Sequence, residues 1–173
     1  IEASSHGFDQ NRLDDIHFKA AIFTNLSQDH LDYHKTMKSY FKSKLLLFEK
    51  ILNKKKIVIS DSSIKEFSNI KKICKKRKLK LVDIMKIENK LIKRIDLNLN
   101  KFQIKNLSMA IAAAKLNNLS ENKIFKSLIK IKNTSGRLEL IRVFPNNIKV
   151  YVDFAHTPDA LLKSIKALKS FCN

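Results

Sequence analysis

The chain has 173 residues, 44% of them hydrophobic, enough for the core of one domain, or of one domain and part of another. No run of 18 apolar residues occurs, which excludes a membrane-spanning helix. The net charge of +19 raises nucleic-acid binding as a reading, but Arg supplies only five of the 35 basic residues, the lysines are scattered, and neither Arg forks nor an exposed aromatic set is evident, so no nucleic-acid partner is expected.

Ile1 to Arg12 carries a polar cluster, Glu2, Ser4, Ser5, His6 and Gly7, which by residue type reads as a turn. Asp14 to Lys19 leads into the apolar run Ala20 to Phe23, a predicted buried strand that ends in Thr24 and Asn25. Asp29, His30, Asp32 and His34 follow. Alone, D-H-x-D-x-H would suit zinc or a two-metal centre, but no Cys supports a structural zinc site. A long helix is predicted from Met37. At about 100° per residue, Tyr40, Phe41, Lys44, Leu45, Leu47, Phe48, Ile51 and Leu52 fall on one broad face, and Lys38, Lys42, Glu49 and Lys50 on the other. Lys44 therefore sits among apolar side chains. Either it snorkels its ammonium to the surface, or it is held for chemistry. Burial favours the neutral amine, which can add carbon dioxide to give a carbamate, an anionic oxygen ligand for a hard cation.

Lys56 to Ser60 reads as a strand, Asp61 and Ser62 as a turn, Ile64 to Lys76 as a helix and Leu79 to Asp83 as a second strand. This β-α-β order predicts a mostly parallel sheet. Ile84 to Asn100 alternates weakly and receives no element. A helix is predicted over Leu107 to Leu116 with Asn106 as its candidate cap, and another over Glu121 to Ile131. Asn133 to Arg137 reads as a linker around Gly136, one of only two glycines. Nothing is assigned between Arg137 and Ile148. Ile148 to Val152 reads as a strand, and Thr157 as the cap of a helix starting at Pro158. Asp153 and His156 lie at the carboxyl end of that strand, where open α/β sheets bind ligands. Cys74 and Cys172 are far apart and in no C-x-x-C pair, which fits reduced thiols and a cytoplasmic location.

Four stretches together resemble the Mur ligases, in particular the branch that adds the third residue of the peptidoglycan stem peptide. They are I-E-A-S-S-H-G-F-D-Q-N-R at the start, T-N-L-S-x-D-H-L-D-Y-H from Thr24, M-x-x-Y-x-x-x-K from Met37 to Lys44, and V-D-F-A-H-T-P-D-A-L from Val152. The resemblance is weaker from about Asn53 to Lys101. Folylpolyglutamate synthetase is a more distant alternative, without the S-S-H-G-x-x-Q-x-R match.

The resemblance implies an α/β fold. Residues 1–134 would be the C-terminal part of a central ATPase-like domain, a mostly parallel sheet with flanking helices, and residues 135–173 the start of a Rossmann-like C-terminal domain. It implies an ATP-dependent amide ligase of the cytoplasm, monomeric and without a membrane partner. The expected ligands are magnesium, ATP, UDP-N-acetylmuramoyl-dipeptide and an amino acid, diaminopimelate or lysine. By the same resemblance Glu2, His30 and carbamylated Lys44 hold the magnesium, with Lys44 and His30 central to catalysis. Ser4, Gln10 and Arg12 hold the UDP-muramoyl-dipeptide. Asn106, Arg137, Asp153 and His156 contact ATP, with Gly136-Arg137 as the hinge. His34 and Asp32 would cap the following helix or orient neighbours. Two departures stand out: the family glycine before F-N-x-x-N is absent, and Gln103 replaces the first Asn of that motif. No G-x-x-x-x-G-K-[ST] phosphate loop is present, and Ile1 falls inside a motif. The sequence is accordingly expected to be an internal piece of a longer protein, inactive by itself.

Overall fold

The structure, a computed structural model, describes residues 1–94, 99–131 and 134–169. These form two compact units: residues 1–26 with 30–121, and residues 27–29 with 122–173.

The first unit is built on three parallel strands, β1 (Ala20–Ile22), β2 (Ile57–Ser60) and β3 (Lys80–Asp83), hydrogen-bonded in that order. The parallel sheet expected from the β-α-β pattern is therefore present. Side chains alternate between the faces of a strand, and β2 delivers one residue to each of two cores. Val58 joins Phe23, Phe48, Leu52, Ile70 and Cys74 on one face, while Ile59 joins Ile84, Met109 and Ala112 on the other. Burial on both faces explains why this strand reads as the unbroken run I-V-I.

Helices cover both faces. Short α1 (Ser5–Asp9) and α2 (Leu31–His34) precede α3 (Met37–Leu46), and α4 (Phe67–Arg77), α5 (Met85–Arg94) and α6 (Lys101–Lys115) follow. Thr36 caps α3, its hydroxyl accepting from the Ser39 N–H at 3.1 Å. The capping role considered for His34 and Asp32 thus falls to Thr36, whose backbone is extended where theirs is helical. A π-helical turn, Leu47–Ile51, continues α3 and closes with the Leu52 N–H on the Leu47 carbonyl at 2.8 Å.

Two sequence expectations change here. Ile84 to Asn100 contains α5, whose apolar Ile87 and Leu91 are four apart on one face; residues 95–98 lie outside those described. The helix placed at Leu107 begins at Lys101 instead. Asn100 accepts from the Gln103 N–H and Gln103 Oε1 from the Asn100 N–H, both at 3.1 Å, a reciprocal capping box. Asn106 is inside the helix and caps nothing.

The second unit holds an antiparallel pair, β4 (Glu139–Val143) and β5 (Lys149–Val152), with α7 (Glu121–Leu128) entering it and α8 (Pro158–Lys169) following. Residue 133 of the expected linker lies outside those described. The strand β4 has no counterpart among the sequence expectations. Its partner is reached through Phe144-Pro145-Asn146-Asn147, where Asn147 takes a left-handed φ of 60° and the Phe144 N–H meets the Ile148 carbonyl at 2.9 Å. The Thr157 hydroxyl accepts from the Ala160 N–H at 3.3 Å, as expected of a cap.

Candidate functional site

The first polar cluster folds as a helix rather than a plain turn. Ser4 is extended, and its hydroxyl accepts the Gly7 N–H at 3.1 Å. The helix closes at Gln10, whose N–H reaches His6, and the Arg12 N–H returns to the Gly7 carbonyl at 2.9 Å. Ser4, Gln10 and Arg12 all leave their side chains exposed.

Four imidazole and phenol rings meet beside this helix, packed against a fifth, Tyr40, on α3. His30 (φ 54°) and Lys35 (φ 62°) both take positive φ and bracket the single turn of α2. This brings His30 and His34 to His6, with ring centroids 4.9 and 5.4 Å away. Tyr33 lies 4.2 Å from His6 and bonds Asp9 through its hydroxyl. His34 is buried, its Nε2 2.8 Å from the Ser5 hydroxyl, and it stacks on Tyr40 at 5.2 Å. Burial first, and then the neighbouring His6, hold its pKa below the ordinary histidine value. His30 meets the same Tyr40 edge-on at 5.7 Å.

Lys44 leads from this cluster into a cavity. Its Nζ lies 5.0 Å from the centre of the Tyr40 ring and 5.8 Å from that of Phe23, a cation–π arrangement on a half-buried side chain. The cavity, about 630 Å³, is lined by Glu2, Lys44 and Asn106, with Phe8, Phe23 and Met109 among its apolar walls. Glu2 and Lys44, 42 positions apart, thus face one space, and the exposed Asn106 of α6 faces it too. His30 is not in that lining; its link to Lys44 runs through Tyr40.

The donor chemistry bears on the implied magnesium. Among the described residues no three His, Cys, Asp or Glu side chains are placed to hold a metal ion. A hard cation between Glu2 and Lys44 therefore needs the lysine to supply oxygens, which a carbamate does and an ammonium does not.

At the mouth of the sheet, Asp61 follows β2 and is almost wholly buried. It accepts from the Ser63 N–H at 2.8 Å and the Ser63 hydroxyl at 2.9 Å, and pairs with Lys105 of α6. Lys105 precedes Asn106, so this pair pins the part of α6 that faces the cavity.

The remaining nucleotide candidates belong to the second unit. Arg137 lies over the Phe154 ring at 5.2 Å. Gly136 has φ +67°, and a Cβ there would stand 2.2 Å from Phe154 Cε2, so any side chain would be strained and would push the Phe154 ring aside. Asp153 accepts from the Leu138 N–H at 2.8 Å, the Ala155 N–H at 2.9 Å and the Ser164 hydroxyl at 3.0 Å. Burial alone would raise its pKa; these donors and the Arg137 charge outweigh that and lower it. His156 is exposed, its Nδ1 3.0 Å from the Phe154 carbonyl oxygen.

No sequence pattern assigns a place in the site to Ser5, Ser43, His6, Tyr33 or Tyr40. The signal available was the density of His and Tyr in S-S-H-G and D-H-L-D-Y-H, which spacing alone could not join.

Comparison with known proteins gives a consistent result. Residues 1–118 match the Mur ligase middle domain. The UDP-N-acetylmuramoyl-L-alanyl-D-glutamate–2,6-diaminopimelate ligase of Rickettsia bellii is 36% identical over 98% of this chain, and that of Agrobacterium fabrum 31% over 99%. The chain spans 40% of the length of each. A solved structure of a ligase of that name superposes with a TM-score of 0.69 at 25% identity, covering 97% of this chain and 39% of the other. MurF from Acinetobacter baumannii shares the fold, with a TM-score of 0.70 at 14% identity over 87% of this chain and 37% of its own. With the parallel sheet and the cavity-facing Glu2 and Lys44 in place, the matched span decides the matter: the chain belongs to the Mur ligase family and carries its middle domain.

Proposed function

We propose that the chain is part of an ATP-dependent ligase of peptidoglycan precursor synthesis, joining meso-diaminopimelate to UDP-N-acetylmuramoyl-L-alanyl-D-glutamate. The observation that carries this reading is the cavity shared by Glu2, Lys44 and Asn106 in a Mur ligase middle domain. The choice of diaminopimelate over lysine rests on the names of the relatives. In this reading the γ-phosphate passes to the dipeptide's terminal carboxylate, and the amine of the incoming residue displaces phosphate from the acyl phosphate.

Glu2 and carbamylated Lys44 would hold magnesium from the cavity wall, with His30, which stands outside that lining, as the third ligand of this reading; the ion neutralises phosphate charge when bound. Arg12 offers a guanidinium fork to a substrate carboxylate, and exposed Ser4 and Gln10 supply neutral hydrogen bonds. The Ser4 hydroxyl accepts from Gly7 and keeps its own O–H for a substrate acceptor. Asn106, Arg137, Asp153 and His156 serve ATP. Phe154 holds Arg137 from one side, leaving its outward N–H groups for phosphate. Residues 1–134 belong to the middle domain, and residues 135–173 open a Rossmann-like domain, with Gly136 in the linker. Support comes from the separate parallel and antiparallel sheets, although the compact units divide at Glu121, ahead of that linker. In this reading the enzyme is a cytoplasmic monomer.

The test uses the full-length enzyme and measures phosphate release dependent on both the dipeptide and diaminopimelate. Lys44→Ala should abolish turnover, and a short carboxylic acid such as acetate should partly restore it by filling the vacated space. Lys44→Arg should stay inactive, because a guanidinium cannot become a carbamate. Full activity of Lys44→Arg with bicarbonate excluded would refute the assignment.

A further inference from the structure

Ser5, His34 and Ser43 are polar side chains that the proposed site does not use. All three are buried, at 2%, 5% and 5% exposure. Buried hydroxyls and imidazoles are costly unless paired, and these are paired with one another across long stretches of chain. The His34 Nε2 lies 2.8 Å from the Ser5 hydroxyl, 29 positions away. The Ser43 hydroxyl donates to the Ser5 carbonyl at 2.8 Å, 38 positions away.

The neighbours of these residues give the arrangement its meaning. Ser5 follows Ser4 and stands three residues after Glu2; Ser43 precedes Lys44. Two routes therefore join the Glu2–Ser5 segment to Lys44. One crosses the Ser43–Ser5 bond and enters α3 one residue before the lysine. The other runs from Ser5 through His34 to the stacked Tyr40, whose ring lies beneath Lys44 Nζ. Apolar packing could fill the same volume, but it lacks the directionality of hydrogen bonds and would leave α1 free to slide against α3.

We propose that Ser5, His34 and Ser43 are positioning residues that fix the spacing between the Glu2–Ser4 segment and the Lys44 amine. This rests on the reading of Glu2 and Lys44 as parts of one site. None of the three touches substrate. Their bonds set where the two ends of that site stand, and small misplacements of a catalytic group cost up to about 10²-fold in rate.

In the full-length enzyme, Ser43→Ala and Ser5→Ala remove one route each. Each should lower kcat by about tenfold or more, leave the KM for ATP within about twofold, and weaken the carbamate signal of Lys44 in NMR spectra recorded with ¹³C-bicarbonate. Ser43→Thr, which keeps a hydroxyl, should recover most of kcat. Leu91→Ala, in the buried face of α5, supplies a control for plain loss of stability. If Ser43→Ala and Ser5→Ala lose no more kcat than Leu91→Ala for the same drop in melting temperature, the positioning role is wrong. Wild-type kcat in both serine variants, alongside an inactive Lys44→Ala, would overturn this inference and leave the site assignment standing. Turnover retained in Lys44→Ala would overturn both.

Discussion

Lys105→Met tests whether the buried pair with Asp61 fixes α6 to the carboxyl end of β2. The substitution keeps the apolar stem and removes the ammonium. The Asp61 side chain is 2% exposed and that of Lys105 20%, so water screens the pair little. Removing one partner of a buried pair typically costs about 3–5 kcal/mol, because the other charge stays behind uncompensated. Here Asp61 keeps the Ser63 N–H and hydroxyl, and two retained bonds at about 1 kcal/mol each bring the expected loss to about 1–3 kcal/mol. Lys163→Met is the contrast: its pair with Asp159 is 50% and 38% exposed, and such pairs contribute about 0–1 kcal/mol. Urea denaturation followed by circular dichroism reads both.

The pH dependence carries a second signature. Burial would raise the Asp61 pKa, but the bonds from Lys105 and Ser63 outweigh it and hold the carboxyl below its ordinary value. A depressed folded pKa gives stability that is complete above the unfolded value, about 3.9, and is lost as pH falls through the folded one. Without Lys105 two of the causes that lower the pKa are gone and the carboxyl of the variant lies higher, so the gap between wild type and variant should narrow on acidification from pH 7 toward pH 3. A stability change within about 0.5 kcal/mol, or a gap independent of pH, would refute the reasoning.

Gly136→Ala should lower the melting temperature, since a left-handed alanine costs about 1–2 kcal/mol and its Cβ would displace Phe154 from beneath Arg137; an unchanged melting temperature would show that the loop relaxes freely. Cys74 is buried and its thiol is pushed up to about 11 by that burial, so at pH 8 it should resist iodoacetamide in the native protein and react once unfolded, with peptide mass spectrometry as the readout. Rapid labelling of Cys74 in the native state would contradict its place in the core.

The sheet was legible in the sequence because β1 and β2 are apolar runs bounded by polar turns, and a helical pattern separates β2 from β3. Lys44 was legible too, since one charge on a face with Tyr40, Leu47 and Phe48 breaks the helical period. The start of α6 was missed for a physical reason. The Asn100–Gln103 capping box is polar and local, and its helix begins on Lys101, ahead of any strong apolar repeat. The strand β4 escaped because Leu140, Ile141 and Val143 are exposed and a bulge between Leu140 and Arg142 disturbs their alternation. The ring cluster of His6, His30, Tyr33 and His34 depends on two non-glycine residues at positive φ, His30 and Lys35, and no composition rule predicts both.

The wide turn at Leu47–Ile51 makes chain length, rather than residue type, a determinant of where Lys44 faces. It accommodates one more residue than a regular helical turn without breaking the helix. Deleting any single residue there would close an ordinary i→i+4 turn and rotate everything before it by about 100° relative to Leu52 and β2. Such a deletion would not shorten a loop; it would swing Lys44 away from Tyr40 and Phe23. Length variation in this segment should therefore be selected against as strictly as replacement of the lysine itself, while the exposed Asn53–Lys55 that follows is open to insertion.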